Sequence, residues 1–315
     1  MSIKPRKVGI LGAGNVGSHV ALQIAVQGLA DDIVFFDTNH GKAEGEAMDL
    51  RDAVSYMPHH VTCKAVDGLG DCDILVVAIG KTRQPGQTRL DMLADSVEEC
   101  KTLIKVIQHS GFDGIIISIT NPCDVITEYL ARKLNWPKNH IIGSGTALDS
   151  ARLQMQLSEQ LNVNRRSVTA YVLGEHGDSS MVPWSHVTVG GKPIRELLEE
   201  NPDKYHMDSF EEVVYKVHRG GYFENANKGC TEFGVSSSTA ELIRAIFHNE
   251  HKILPCSTWL NGQYGIHDTF ASVPVKLGAD GVEDVIEIHL TEEEQKELDN
   301  SIDILQQHVK KALAL

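Results

Sequence analysis

Three side chains in the middle of the chain have the types and the spacing needed to move a proton at a carbonyl group. His176 lies in the run Gly174-Glu175-His176-Gly177-Asp178, and an imidazole exchanges protons near neutral pH because its unperturbed pKa is about 6.5. Asp149 and Arg152 stand three positions apart, on one face of a predicted helix. Asp149 could hold the ring in the required tautomer and favour its protonated form, while Arg152 could grip a carboxylate bidentately. The alternatives are a turn histidine and an ordinary surface ion pair.

A polar loop adds two candidate cations to this set. Residues 81–89 begin after Gly80, where an apolar run ends, and they include Arg83, Arg89 and a hinge-like Pro85-Gly86. A loop at the carboxyl edge of a parallel sheet lies where ligands bind. Arg89 could polarise the carbonyl as the site closes and excludes water. Arg83 is predicted to face the substrate, and Gly80 to line the cofactor. On composition alone, a solvated surface loop is a fair alternative.

The elements that would position these groups begin with a dinucleotide-binding pattern. An apolar strand ending at Leu11 precedes Gly12-Ala13-Gly14-Asn15-Val16-Gly17, and a helix is predicted from there through Ala30. A second apolar run ends at Asp37, about 20 residues beyond the motif. Because strand, helix and acid are all in register, the glycine-rich turn indicates a nucleotide site rather than a purely structural loop.

Each part of this motif has a physical task. Gly12 permits the tight turn, Gly14 lets a pyrophosphate approach the backbone, and Gly17 allows the helix to pack closely on the strand. The helix that opens at Asn15-Val16 offers free N–H groups and its positive dipole end to the phosphates. Asp37 would accept hydrogen bonds from both ribose hydroxyls and would repel a 2′-phosphate. The expected cofactor is therefore NAD rather than NADP.

Further apolar runs in the first half lack alternation, as expected for parallel strands that are covered on both faces. They span residues 74–79, 114–119 and 141–142, with helical stretches at 93–110 and 124–134 between them. Asn121 follows the second of these runs, where its amide could point at a ligand or simply form a turn before proline. The pattern predicts an α/β fold with a doubly wound, Rossmann-type parallel sheet.

The pattern changes near Gly143, which predicts an NAD-binding domain over residues 1–143 and a catalytic α+β domain over residues 144–315. The predicted elements of the second domain are helices at 147–161, at 196–212 and from near Thr231, strands at 168–173, 187–189, 273–275 and 285–288, and a final helix that begins with the capping box Thr291 to Glu294. His176 would then lie just past the end of a strand.

Composition limits the possible partners and compartment. The formal net charge of -14 argues against nucleic acid and anionic membranes, which repel an acidic surface. The six cysteines are scattered, with no spacing typical of a metal site, and fit free thiols in a reducing compartment. No apolar segment is typical of a signal peptide or a membrane span. These features predict a cytoplasmic protein without a metal centre.

Taken together, the motifs resemble those of the lactate/malate dehydrogenase family of L-2-hydroxyacid dehydrogenases, over essentially the whole chain. The matching segments occur in family order: 12–17, 45–50, 85–91, 120–122, 148–152 and 174–178. The resemblance implies a small 2-oxo or 2-hydroxy acid as substrate, NAD as cofactor, and a homo-oligomer, tetramer or dimer.

The resemblance also implies residue roles. His176 would be the acid/base, Asp149 its partner, Arg152 the carboxylate clamp and Arg89 the loop arginine. By the same resemblance, Asn121 would bond substrate or cofactor. We expect Arg83, Asn121 and Thr231 to contact the substrate.

Within the family the signals conflict. Thr231 and the Ser179-Ser180 sequence resemble the lactate branch, and Gly220-Gly221 resembles L-2-hydroxyisocaproate dehydrogenases with wider substrate choice. Arg83 instead resembles malate dehydrogenases, and such an arginine could pair with a second carboxylate. A lactate-type enzyme is the first expectation and a malate dehydrogenase the second. An NAD- and metal-dependent glycosidase and a silent NAD-binding protein are the alternatives from other classes.

Overall fold

The computed structural model describes residues 4–66, 68–80 and 89–315 of the chain. Six strands form the parallel part of its main sheet: β1 (Lys7–Leu11), β2 (Asp32–Phe36), β3 (Thr62–Ala65), β4 (Ile74–Val77), β5 (Ile115–Ser118) and β6 (Ile141–Gly143). Their order in space is β3-β2-β1-β4-β5-β6, so the chain reverses direction across the sheet between β1 and β4. Ligands bind at such a switch point, beyond the carboxyl ends of the strands. The predicted doubly wound parallel sheet is confirmed.

Four helices connect these strands: α1 (Asn15–Gln27), α2 (His40–Val54), α3 (Arg89–Ser110) and α4 (Cys123–Leu134). Helix α1 ends earlier than predicted, because Gly28 adopts a left-handed conformation and its N–H bonds back to Ala25 and Ile24. The sequence reasoning missed β3 and α2. Strand β3 lies at the edge of the sheet and has exposed as well as buried positions, so no continuous apolar run marks it.

The second half adds five helices and six strands within the described residues. They are α5 (Ala147–Gln160), β7 (Val168–Thr169), β8 (Thr188–Val189), β9 (Lys192–Pro193), α6 (Ile194–Glu200), α7 (Phe210–Lys228), α8 (Phe233–Phe247), β10 (Lys252–Leu260), β11 (Thr269–Gly278), β12 (Gly281–Val285) and α9 (Glu292–Ala314). Strands β10 to β12 are antiparallel and extend the main sheet, since β10 pairs with β6 at Ser257 and Gly143. The main sheet is thus continuous across the predicted boundary at residue 143, and that boundary stays a prediction.

The predicted strand over residues 168–173 is wrong in length, because only Val168–Thr169 pair as a strand. Leu173 forms an isolated bridge with Met181, and between Thr169 and Leu173 side chains of α5 replace a neighbouring strand as hydrogen-bond partners. Gln154 donates to the carbonyl of Ala170, and Ser150 accepts from the N–H of Val172. The segment that leads to His176 is therefore fixed to the helix that carries Asp149 and Arg152.

The single helix predicted over residues 196–212 is also wrong. Helix α6 ends at Glu200, because Asn201 precedes Pro202 and the residue before a proline is disfavoured in the helical region. Helix α7 then begins after Ser209, whose side chain accepts a hydrogen bond from the N–H of Glu212. The sequence pattern also missed β10. The strand predicted over residues 285–288 is wrong in position, since β12 spans Gly281–Val285 and shares only Val285 with the prediction.

Two other predictions, on the last helix and on the cysteines, are confirmed. The capping box of α9 has both of its hydrogen bonds, between Thr291 and Glu294. All six cysteines, each within the described part of the chain, are free thiols, and five of them are buried. Throughout the described ranges, no helix combines the length and the apolar character that a membrane crossing requires.

Candidate active site

The turn between β1 and α1 has the backbone geometry of a nucleotide site. Gly12 has a φ of 102°, and a Cβ there would lie 2.6 Å from the carbonyl oxygen of Ala78. A Cβ at Gly17 would lie only 2.0 Å from the carbonyl oxygen of Gly12, so the close approach of helix to turn requires glycine. At Gly14, by contrast, no described atom lies within 4 Å of the Cβ position. The first and third glycines fix the fold, and the second leaves open space.

That open space faces the start of α1, which is free to bind an anion. Gly14 is the N-cap, no side chain caps the helix, and its first turn contains no acid. The N–H groups at the start of a helix have no partner within the helix. Here those of Asn15 and Val16 belong to partly or fully exposed residues. The segment fits the pyrophosphate of a dinucleotide.

Asp37 lies just beyond the end of β2, beside this turn. Its carboxylate oxygens accept hydrogen bonds from the N–H groups of Ala13 and Asn39, both at 2.8 Å. The carboxylate is therefore held next to the glycine turn, which suits the adenosine ribose of NAD. Gly80 and Asn121 are exposed at the ends of β4 and β5, along the same edge of the sheet. The residues present fit NAD.

His176 and Asp149 form a close, mostly buried pair. The Nδ1 atom of His176 lies 2.6 Å from Oδ2 of Asp149, and 25% of the His176 side chain is exposed against 8% of that of Asp149. Asp149 is in the first turn of α5, and His176 is in the loop that α5 anchors. The structure thus joins two residues that are 27 positions apart, as the sequence predicted, and among the described residues the ring is bound through Nδ1 and not through Nε2.

The contact between Asp149 and His176 favours the protonated form of the imidazole. The negative charge of Asp149 raises the pKa of His176 to about 9, against burial, which lowers it. Burial by itself raises the pKa of Asp149, but the charge and the hydrogen bond of His176 hold that pKa below its ordinary value. Near neutral pH the ring is therefore a cation that can donate a proton.

A second carboxylate, that of Asp124 on α4, binds the loop that carries His176. The sequence pattern does not predict this contact. The backbone N–H of His176 donates to Asp124 Oδ2 at 2.7 Å, and the hydroxyl of Ser272 donates to Oδ1 at 3.0 Å. Burial raises the pKa of Asp124, while the N–H of His176 favours the charged form. Only folding brings α4 under this loop, so no spacing in the sequence could have revealed the contact.

Arg152 lies beside the pair, on the same face of α5. Its Nη1 atom is 3.5 Å from Asp149 Oδ1, and its Nη2 donates at 2.8 Å to Oε2 of Glu224 on α7. Thr231 reaches the same carboxylate oxygen, with its hydroxyl donating at 2.7 Å. The predicted clamp and the predicted pocket residue are thus brought together by Glu224, which the sequence reasoning missed.

The structure therefore assembles most of the predicted site. The side chains of His176, Arg152 and Thr231 lie around the carboxylates of Asp149 and Glu224. The nucleotide turn consists of Gly12, Gly14, Asn15, Val16 and Gly17, and Asp37 lies beside it. Arg83 lies outside the described residues. Arg89 begins α3, and its side chain is outside the described part of the structure. The roles assigned to both arginines stay predictions.

Two family models match the chain, one to each half. The model of the lactate/malate dehydrogenase NAD binding domain matches residues 6–143. The model of the lactate/malate dehydrogenase alpha/beta C-terminal domain matches residues 146–315. Together the two matches cover both the nucleotide turn and the His176 site.

Individual relatives are similar over nearly the full length. L-lactate dehydrogenase 3 of Bacillus thuringiensis subsp. konkukian is 39% identical over 307 residues, which are 97% of this chain and 97% of that protein. A lactate dehydrogenase from a Medee basin deep-sea metagenome library has a similar crystal structure, with a TM-score of 0.94, 35% identity and coverage of 98% of this chain and 99% of that one. The crystal structure of the malate dehydrogenase of Cryptosporidium parvum is also similar, with a TM-score of 0.92 and 29% identity. That match covers 98% of this chain and 99% of the other.

Proposed function

Since the chain belongs to the lactate/malate dehydrogenase family and is an NAD-dependent oxidoreductase acting on the CH–OH group of L-2-hydroxy acids, we propose that it interconverts L-lactate, or a larger L-2-hydroxy acid, and the matching 2-oxo acid. The observation that carries this proposal is the contact of His176, Asp149 and Arg152. Asp149 contacts both His176 and Arg152, which supports a proton donor and a carboxylate clamp side by side. The glycosidase and the silent NAD-binding protein lose their support with the family match.

The residues of this chain then divide the work. Arg152 holds the substrate carboxylate, and this fixes the carbonyl relative to His176. The Nε2–H of His176 donates a proton to the carbonyl oxygen during reduction and takes it back during oxidation. Asp149 stabilises the imidazolium and orients the ring through Nδ1. When bound, NADH supplies the hydride to the carbonyl carbon.

The cofactor half does not take part in the proton transfer. The N–H groups at the start of α1 bind the pyrophosphate, and Asp37 takes the ribose hydroxyls. We place Asn121 near the nicotinamide end, because it is exposed at the end of β5, one strand from Gly80. Arg89 is assigned to polarise the carbonyl on loop closure, by family resemblance alone.

For the substrate side chain, we favour lactate-type acids over malate. Thr231 lies beside the clamp, and the glycines at 220 and 221 put no side chain against Arg152. The similarity to L-lactate dehydrogenase 3 of Bacillus thuringiensis supports the same choice. Arg83 favours the second candidate, a malate dehydrogenase, since a guanidinium can pair with a second carboxylate.

One assay separates the two candidates. NADH oxidation is measured with pyruvate, 2-oxoisocaproate and oxaloacetate, in the parent protein and in Arg83→Gln. We expect the highest kcat/KM with pyruvate or 2-oxoisocaproate. A preference for oxaloacetate by orders of magnitude, reversed in Arg83→Gln, would make the protein a malate dehydrogenase. No turnover with any 2-oxo acid would overturn the proposed function.

We further propose a cytoplasmic homo-oligomer. Free thiols at all six cysteines, each of them in the described part, support a reducing compartment. Exposed apolar side chains on and next to α1 and α2, those of Val26, Met48 and Tyr56, support association with a second copy. Light scattering coupled to size-exclusion chromatography tests the assembly, and a monomer at working concentration would contradict it.

A further inference from the structure

The guanidinium of Arg152 already binds a carboxylate of this chain. Its Nη2 atom donates to Oε2 of Glu224 at 2.8 Å, and the hydroxyl of Thr231 donates to the same oxygen at 2.7 Å. Both residues that we assign to the substrate therefore contact Glu224 instead. A carboxylate in that position has the contacts that an incoming 2-oxo acid would need.

A substrate carboxylate and Glu224 would meet at the same nitrogen of the guanidinium. An arginine grips a carboxylate with two parallel N–H groups, either both Nη atoms or Nε together with Nη2. Either choice uses Nη2, which carries two N–H groups and already donates one of them to Glu224. The Nε atom is buried and has no hydrogen-bond partner among the described residues, and Nη1 is engaged weakly with Asp149 at 3.5 Å. A bidentate substrate would therefore place a second carboxylate next to that of Glu224, and the repulsion between the two negative charges opposes binding until Glu224 turns away.

Helix α7 brings Glu224 to this position. Gly220, one turn earlier, packs so closely that a Cβ there would lie 3.1 Å from Nε of Arg152, and residues four apart share one face of a helix. Glu224 itself is only partly covered, with 41% of its side chain exposed against 11% of that of Arg152. The carboxylate can therefore turn out to solvent, while the guanidinium stays in place.

We propose that Glu224 lowers the affinity for the substrate by competing with the substrate carboxylate for Arg152. This inference rests on the proposed function, because it requires Arg152 to be the substrate clamp. In the absence of substrate the ion pair keeps the buried guanidinium charge compensated. The substrate then binds only to the fraction of molecules in which Glu224 has turned away, and the apparent affinity is reduced by that fraction.

Two substitutions and one control test the competition. Glu224→Gln removes the charge at constant size, and Glu224→Asp keeps the charge but shortens the reach by one methylene group. Glu211→Gln is the matched control, since Glu211 lies on the same helix, is exposed and is in its first turn, away from the clamp. For each variant, KM and kcat for pyruvate are measured with NADH. Binding of oxamate, a pyruvate isostere whose amide carbonyl resists hydride transfer, is titrated on the enzyme–NADH complex.

If Glu224 holds the clamp in about nine molecules of ten, Glu224→Gln lowers the KM for pyruvate and the dissociation constant of oxamate about tenfold. We expect kcat to stay unchanged and Glu224→Asp to behave like Glu224→Gln, because a carboxylate that cannot reach Nη2 no longer competes. Glu211→Gln should match the parent.

An unchanged or higher KM in Glu224→Gln would overturn the inference, since Glu224 would then be neutral or would help to hold the clamp. A parental KM in Glu224→Asp would overturn it as well, because the charge rather than the contact would be responsible. These outcomes leave the proposed function intact. That proposal fails separately, when the parent protein reduces no 2-oxo acid.

Discussion

The nucleotide turn and the substrate site differ in the kind of group that makes their contacts. At the nucleotide turn the contacts are made by backbone, and glycines at 12 and 17 are required because any side chain would meet a carbonyl oxygen within 2.6 Å or less. At the substrate site the contacts are made by charged side chains, and each charge is compensated by another. One site presents an unpaired helix end, and the other a network of paired charges.

This difference determines how each site can be changed. A site whose contacts are made by backbone N–H groups tolerates most substitutions that leave the ligand's space open. It loses binding when a new side chain fills that space. A charge network fails when one partner is removed, because the remaining charge is left buried without compensation. Substitutions at the two sites should therefore separate cofactor binding from catalysis.

We expect His176→Asn to separate catalysis from cofactor binding most strongly. Without the proton donor, kcat for pyruvate reduction should fall about a thousandfold, within the range typical of general acid–base catalysis. NADH affinity, measured by fluorescence titration, should stay at the parental value because the nucleotide turn is untouched. An equal loss of NADH affinity would show that His176 supports the fold, and the comparison of two independent sites would then be wrong.

We expect Arg152→Lys, also at the substrate site, to have a smaller effect on activity. An ammonium group cannot reproduce the planar fork, so one charge-assisted hydrogen bond worth about 1.5–3 kcal/mol is lost and KM for pyruvate should rise about ten- to hundredfold. Steady-state kinetics with saturating NADH measures it. A parental KM would exclude Arg152 as the clamp.

On the nucleotide side, the two glycines at 14 and 17 should respond differently to alanine. Gly17→Ala places a methyl group against the carbonyl of Gly12 and should cost about 1–3 kcal/mol in the free energy of unfolding, measured by urea denaturation. Gly14→Ala has room for its methyl group and should fold normally but bind NADH more weakly. Equal stability of the two variants would contradict the close-packing argument.

The smallest effect concerns cofactor choice. Asp37→Ser removes the charge that would face a 2′-phosphate, and the preference for NADH over NADPH should narrow about tenfold, equivalent to about 1.4 kcal/mol of relieved repulsion. The ratio of kcat/KM for the two cofactors measures it. If the parent protein uses both cofactors equally well, Asp37 does not select NAD.

More of the nucleotide turn than of the substrate site could be predicted from the sequence. The nucleotide turn is a contiguous motif between a strand and a helix, so Gly12, Gly14, Gly17 and Asp37 could be assigned from spacing alone. The substrate site depends on packing between α5, α4 and α7. The pairing of Asp149 with His176 could be expected from their chemistry, but the contacts of Asp124 and Glu224 could not, since each joins segments far apart in the chain.

The same reasoning explains the errors in the fold. Strand β10 was missed because its exposed and buried positions do not form a continuous apolar run at its start. The segment at 170–172 is apolar, and its pattern therefore predicts a strand, whereas side chains of α5 form hydrogen bonds with its backbone. Patterns of hydrophobicity indicate burial, but they do not identify the hydrogen-bond partner.

The central claim is that Asp149 keeps His176 protonated for donation to the substrate, and the pH dependence of kcat/KM for pyruvate tests it most directly. The raised pKa of His176, about 9, means that the donor is charged below that pH and is lost above it, so kcat/KM should fall as the pH rises through about 9. Oxidation of L-lactate needs the neutral ring and should increase over the same interval. In Asp149→Asn the falling limb should move to lower pH, toward the ordinary histidine value of about 6.5. A limb that stays near pH 9 in Asp149→Asn would contradict the account.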